Sequence, residues 1–424
     1  MNSLKHSIVF LCIGFVWLQP LYADSSPDNI NHAENASQQR DIDRLRSKAS
    51  SGDPEAQYQL ALAFAQGKGL AADAELAAHW LRKSAELGYA PAQYRLGMRL
   101  LEGQGVKAAP AEGIKWLRRA ARQNLAEAQQ ALGLAILQGR GAEPDKNEAK
   151  AWLEKAATQG NADAAFALGK LLMSDANPAA ARPWLEKAAR AGNPDAVYAL
   201  ARLDSAGQPG QWRAKMQAAA KLGYAPAQYD LAVAFVQGQF GLEKNPAQGA
   251  LWMRKAAQQG FTRALYDLGW LYETGTGIPR DKDKAFQWYR KAASKNFAPA
   301  LYRLAIAHAN GDGVEKNFDT SFDYLSRAAI QGSRDAQYAL GVLYDNGEGV
   351  NQDFAKAMQW YKTAAAQGDP KAMYAIGNLH ANGYGVKKDL ARARTWYCKA
   401  ARLGLPQARK ILDDPVDIDQ ACPP

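Results

Sequence analysis

Apolar and small residues return along this chain in two alternating blocks, and the alternation repeats close to every 36 residues. In the first block an alanine is followed four and eight residues later by apolar side chains, as at Ala336, Leu340 and Tyr344. That spacing lines one face of a helix. The block begins at Ala56, Ala92, Ala128, Ala164, Ala196, Ala227, Ala264, Ala300, Ala336 and Ala372. In the second block, for example KAMQWYKTAAAQG, Ala357, Trp360, Ala364 and Ala365 gather on one side of a second helix. Its aromatic falls at Trp80, Trp116, Trp152, Trp184, Trp252, Trp288, Tyr324, Trp360 and Trp396, with Gly or Asn eight residues later. Such a residue suits a left-handed helix cap. One weaker unit ends at Gly223 and has Lys215 where the aromatic belongs. Ala408 opens an eleventh unit that has no second half. The pattern therefore predicts ten helix pairs.

The halves are joined by GKGL, GQGV, GRGA, GTGI, GDGV, GEGV and GYGV, whose paired glycines suit a turn that needs positive φ. A phosphate-cradling loop would need GxxxxGK[ST], which the chain lacks, so a structural turn is expected. Gly97, Gly133, Gly169, Gly269, Gly341 and Gly377 lie inside first helices. Glycine weakens a helix by about 1 kcal/mol against alanine, so close approach of a neighbouring helix is expected there.

The A-x-x-x-L-G, G-x-G-V and W-Y-x-K-A-A segments at this spacing resemble the Sel-one-like repeat family over residues 53–410. The resemblance implies an all-α fold, a right-handed α/α superhelical solenoid of about ten repeats with terminal capping helices. It also implies adaptor or scaffold roles in complex assembly, signalling and, in bacteria, envelope or host-interaction functions. Repeats one to three are expected at 53–163 and repeats six to ten at 224–404. Repeats four and five, 164–223, are shortened and lack the G-x-G-V turn, which suggests a local change of curvature and a hinge or docking site. Residues 39–52 read as an N-terminal capping helix, and 405–424 as a C-terminal capping helix with a tail.

Residues 1–23 carry a basic start, the apolar run SIVFLCIGFVWL and a small residue at Ala23, the pattern of a signal peptide cleaved near that point. No later apolar run reaches membrane length, so a periplasmic or secreted protein without a transmembrane segment after cleavage is expected. Residues 24–38 are polar and read as a disordered linker. In that compartment Cys398 and Cys422 are expected to pair and tether the tail. Closing such a loop contributes about 3–4 kcal/mol in the chain-entropy estimate. Arg82, Arg118, Arg254 and Lys362 stand at the position of Cys398 in other repeats, so that position is expected to face solvent.

No catalytic or metal-binding set emerges: HExxH, GxSxG, S-x-x-K and paired CxxC are absent. His308 and His380 stand where Tyr272 and Tyr344 stand elsewhere, and read as aromatic substitutes in helix packing. Two series remain. Tyr58, Tyr94, Tyr198, Tyr229, Tyr266, Tyr302, Tyr338 and Tyr374 follow the helix-opening alanine by two residues. They suit either a partner-binding groove or packing between repeats. Lys83, Arg119, Lys155, Lys187, Lys255, Lys291, Arg327 and Lys399 follow the aromatic by three and form a basic ridge. With a net charge of +10 and a pI of 9.3, that ridge suits an anionic polymer, or simply a solvated face near helix C-termini. The sequence thus points to a non-enzymatic periplasmic or secreted scaffold, needing no cofactor, that binds one or more envelope proteins. A polysaccharide-export or envelope-assembly scaffold, or an anionic glycan- or peptidoglycan-binding protein, is the alternative. Nucleic acid is not an expected partner in that compartment.

Overall fold

The computed structural model describes residues 27–205, 207–413 and 422, with side chains from Gln39 onward. Among them are 22 α-helices and no strand. A long helix, Pro27–Ser50, precedes ten helix pairs, and a short helix, Pro406–Ile411, follows them. Repeat one pairs Pro54–Gln66 with Ala74–Glu86; repeat nine pairs Arg334–Asn346 with Phe354–Ala366. The chain divides into two compact units, one ending at Leu171 and the other beginning at Leu172.

Local chemistry sets the helix ends. The Asp53 carboxylate accepts hydrogen bonds from the backbone N–H groups of Glu55 and Ala56, and Pro54 occupies the first turn. Two of the orphan donors at the helix start are thereby satisfied. The helix stops at Gly67, whose φ of 65° is left-handed. The second glycine of the turn has a different task. At Gly277 a Cβ would come within 2.3 Å of the Pro246 backbone, so the turn of repeat seven lies directly on the start of the second helix of repeat six. Only glycine permits that approach.

Alanine and leucine fill the core along each unit, for instance Leu132, Leu153 and Ala156 in the first and Leu231, Leu268 and Leu304 in the second. The glycines within first helices do admit a close neighbour, the second helix of the same repeat. A Cβ at Gly341 would sit 2.4 Å from the Tyr361 ring, and one at Gly97 would sit 2.8 Å from Leu117.

The shortened repeats solve the same problem with different residues. The linker of repeat four turns through Ala176 at φ 54°. In repeat five the buried carboxylate of Asp204 accepts from Arg182 at 2.9 Å and also from Lys215. The lysine in the aromatic position therefore reaches inward as an ion-pair partner. Burial would raise the Asp204 pKa, but Lys215 and Arg182 outweigh it and hold the group below the usual carboxylate range. Trp212 stands where Gly249 and Ala285 stand in the next two repeats, and stacks on Phe240 with centroids 4.1 Å apart.

Two expectations are corrected. The stretch 24–38 is not a disordered linker throughout, because helix begins at Pro27 and continues to Ser50. Propensity does not explain this, since residues 27–38 hold Asn29, Asn31 and Asn35, but the segment is covalently continuous with the packed turns around Ile42 and Ala49. Cys398 does not face solvent: it is 7% exposed, because Cys422, fully buried, returns across it. The two sulfurs are joined, with Cα atoms 5.5 Å apart. Residues 414–421 of the tail, and the signal segment 1–23, lie outside the described residues.

Candidate interaction surfaces

The tyrosine series is half-buried at every position. The rings pack between repeats and within them: Tyr58 meets Tyr89 at 5.4 Å and Tyr266 meets Phe297 at 5.6 Å across a repeat boundary, while Tyr338 and Tyr374 meet Tyr361 and Tyr397 of their own repeats at 5.8 and 5.5 Å. Their hydroxyls bridge first helices. Tyr198 donates to Asp230 at 2.8 Å and Tyr229 donates to Asp267 at 2.7 Å. Burial, then the hydrogen bond to Asp230, pushes the Tyr198 phenol up to about 12. Burial, then Asp267, likewise raises Tyr229. Packing accounts for most of each ring, and a remaining edge reaches the surface.

Those edges line open clefts. One, of about 440 Å³, includes Tyr198, Arg202, Tyr229, Asp230, Phe240 and Arg263. A second, of about 390 Å³, lies over Tyr338, Val342, Tyr374 and Asn378. A separate cleft of about 360 Å³, mostly apolar and with no tyrosine in its lining, sits between Ile42 and Leu45 of the N-terminal helix and Leu62 of repeat one.

The basic series occupies the second helices, and every member lies over the aromatic three residues before it. In the first unit Lys83, Arg119 and Lys155 lie 5.0, 4.6 and 4.4 Å from the ring centroids of Trp80, Trp116 and Trp152. In the second, Lys255, Lys291 and Lys399 lie 4.3, 4.0 and 4.3 Å from Trp252, Trp288 and Trp396. Lys187 and Arg327 sit farther out, at 5.9 and 5.8 Å. Each contact is worth about 0.5–1 kcal/mol at an exposed site. The ridge is thus first a set of cation–π contacts. The W-x-x-K spacing announces it, because residues three apart share a helix face.

A third series escaped the sequence reading. Gln57, Gln93, Gln129, Gln228 and Gln337 are buried, one residue after the helix-opening alanine. Gln93 donates to the Ala85 carbonyl at 3.0 Å and accepts from Gln123 at 2.8 Å. Gln337 donates to Ala329 at 3.1 Å and accepts from Gln367 at 2.7 Å. These bonds tie one repeat to the next and satisfy carbonyls at the ends of second helices. The recurring A-Q pair was the available signal.

The histidines are structural. His308 stacks on Tyr324 at 5.9 Å, and its Nδ1 donates to the Glu315 carbonyl at 3.1 Å. His380 is buried, and His79 is exposed against the edge of Trp80. No group of three metal-ligating side chains occurs among the described residues. No helix among them is long and apolar enough to cross a membrane.

The Sel1 repeat model matches residues 54–89, 90–125, 126–161, 162–193, 225–261, 262–297, 298–333, 334–369 and 370–405. The chain belongs to the Sel1-repeat family. Nine repeats are matched; the weak unit between them, which contains Lys215 and Trp212, is not, although it forms the helix pair Pro194–Asp204 and Pro209–Lys221. A solved Escherichia coli Sel1-repeat structure is 32% identical over 88% of this chain and 82% of its own, with a TM-score of 0.64. It is described as c5321, a protective antigen present in uropathogenic strains displaying an SLR fold. A Sel1 repeat protein from Oxalobacter formigenes is 27% identical over 88% of this chain and 89% of its own, with a TM-score of 0.40. Cysteine rich protein B of Helicobacter pylori is 31% identical over 31% of this chain and 95% of its own, with a TM-score of 0.26. No curated protein sequence matches the chain. Sel1-repeat proteins generally mediate protein–protein interaction and are generally non-catalytic.

Proposed function

We propose that this Sel1-repeat protein is a non-enzymatic scaffold of the bacterial cell envelope, periplasmic or secreted, that holds one or more envelope proteins along its first helices. The observation that carries the reading is the pair of open clefts over the half-buried tyrosines, at Tyr198 and Tyr229 and again at Tyr338 and Tyr374. A surface built on rigid packed helices loses little conformational freedom when it binds. The signal-like residues 1–23 and the Cys398–Cys422 bond support an oxidising compartment. The likeness to a protective antigen of uropathogenic Escherichia coli supports an exported role as well.

Retention of a discrete envelope protein by immobilised residues 24–424, surviving moderate salt, is the expected result. Val342→Arg and Asn378→Arg place bulk and charge at the mouth of the second cleft and are expected to weaken that retention. Eight exposed or half-exposed cations support a second reading, an anionic glycan ligand. In that case glycan alone is retained and is released as salt screens the charges. Release of that kind, with no protein retained, sinks the scaffold reading.

A further inference from the structure

The departures from the regular repeat gather at one place. Repeat five is the unit that the family pattern does not match. Trp212 there replaces a small residue, and the turn after the first helix of repeat six carries an additional residue, Phe240. Phe240 holds φ at 53°, a conformation bulky side chains rarely adopt. Backbone strain of this kind persists where the surroundings enforce it, and it clusters at binding sites. Here it lays the Phe240 ring on Trp212 and forms one wall of the cleft of about 440 Å³.

The opposite side of that cleft is cationic. Arg202 and Arg263 line it and are both exposed. Arg202 lies 6.0 Å from the Tyr198 ring centroid. Both guanidinium groups are attracted to Asp230, and Arg263 also to Asp267, so the two cations are not free, but they outnumber the one carboxylate that lines the cleft. Between the two walls Asp230 accepts from Tyr198.

We infer that this cleft binds an extended acidic peptide segment of a partner protein, seating an apolar side chain against Phe240 and Phe261 and an Asp or Glu side chain against Arg202 and Arg263. The inference rests on the scaffold reading and deepens it. Arginine is suited to a carboxylate because its planar donor fork matches the two oxygens. A peptide main chain also carries N–H donors, which the Asp230 carboxylate can accept. The cleft is open at its ends, so a segment can pass through it. A sugar ring is the poorer fit, because stacking needs a free aromatic face. Trp212 is 3% exposed and its face is already taken by Phe240.

The test is a random twelve-residue peptide library displayed on phage and selected on residues 24–424 with the disulfide formed. Enriched sequences are expected to place Asp or Glu within two residues of Phe, Tyr, Trp or Leu. Their affinity is expected to fall at least tenfold in the double variant Arg202→Ala/Arg263→Ala and to stay within twofold in Arg303→Ala, an exposed arginine outside the cleft. Circular dichroism melts of both variants check that the fold is intact. Enrichment without acidic residues, no enrichment, or unchanged affinity in the double variant overturns the inference. So does an oligouronate that binds in place of any peptide and is lost in the double variant. An envelope protein still captured by that variant leaves the scaffold reading standing and removes only this cleft from it.

Discussion

At position 380 the repeat places a titratable ring where Tyr272 and Tyr344 stand in other repeats. His380 is 8% exposed, and its Nδ1 is buried without a hydrogen-bond partner among the described residues. Burial first, then the Arg392 guanidinium and the Lys362 ammonium, hold its pKa below the ordinary histidine value, while Asp389 opposes them. The unfolded chain therefore binds the proton more readily than the folded one. Stability is fully present above the unfolded value of about 6.5 and falls as the pH drops from there toward the folded pKa. His380→Tyr removes that proton site and keeps an aromatic ring. The melting temperature of the natural chain is expected to drop more steeply than that of His380→Tyr between about pH 7 and pH 5. Parallel curves would show that His380 titrates as freely in the folded chain as in the unfolded one. The aromatic role of His308 and His380 was legible, because the register aligned them with tyrosines. The loss of a partner at Nδ1 was not, since it depends on which groups the neighbouring helix brings near.

At the scale of the helix pair, tyrosine at the facing position of the second helix is always met by glycine in the first, while leucine there is met by glycine, as at Gly97 and Gly133, or by alanine. Gly269, Gly341 and Gly377 face Tyr289, Tyr361 and Tyr397, and a Cβ at any of them would come within 2.4–2.7 Å of the ring. Alanine stands at the same register position in Ala61, Ala232 and Ala305, where the second helix supplies Leu81, Met253 and Leu325. Two effects oppose each other in Gly341→Ala. Helix propensity favours alanine by about 1 kcal/mol. Overpacking against a fully buried ring costs about 1–3 kcal/mol, and at 2.4 Å from ring carbons the steric cost dominates. Gly341→Ala is therefore expected to lower the melting temperature, and Tyr361→Leu is expected to restore much of the loss when combined with it. A thermal melt of the two single variants and the double variant checks this; additive losses would show that the residues are not coupled. The glycines signalled a close approach in the sequence. Their partners did not, because the pairing joins residues about 20 apart on antiparallel helices. The same limit hid the glutamine bonds, whose donors and acceptors lie 30 residues apart.

Over the whole molecule, the repeat architecture makes stability a sum of local terms: each repeat packs on its neighbours, and no central core ties distant ones together. The interior clusters reflect this, since one is confined to residues between Ala90 and Trp152 and another to residues between Tyr338 and Trp396, and the longest passes from neighbour to neighbour between Tyr229 and Trp360. The connections between repeats are also unequal. Repeats one, two, three, six and nine have the buried glutamine. Ala165 and Val197 stand at that position in the shortened repeats four and five, and Leu265, Leu301 and Met373 in repeats seven, eight and ten. Repeats four and five are thus the one adjacent pair that lacks both the glutamine and the large apolar side chain that fills the position in repeats seven, eight and ten. The division into two compact units falls at Leu171 and Leu172, within repeat four. Unfolding is therefore expected to begin in one part of the array before the rest. In urea, far-UV circular dichroism and tryptophan fluorescence are expected to give non-coincident transitions, because the second-helix tryptophans report on their own repeats. The apparent m-value is expected to fall well below that of a cooperative unit of the same length. Coincident transitions with a full-length m-value would mean that the ion pairs of Asp204 with Arg182 and Lys215 compensate for the missing glutamine bonds. Asp204→Asn separates those cases. It removes the charge-assisted bonds at the shortened repeats and leaves the glutamine bonds elsewhere in place, so in a fully coupled array it would split a single transition into two.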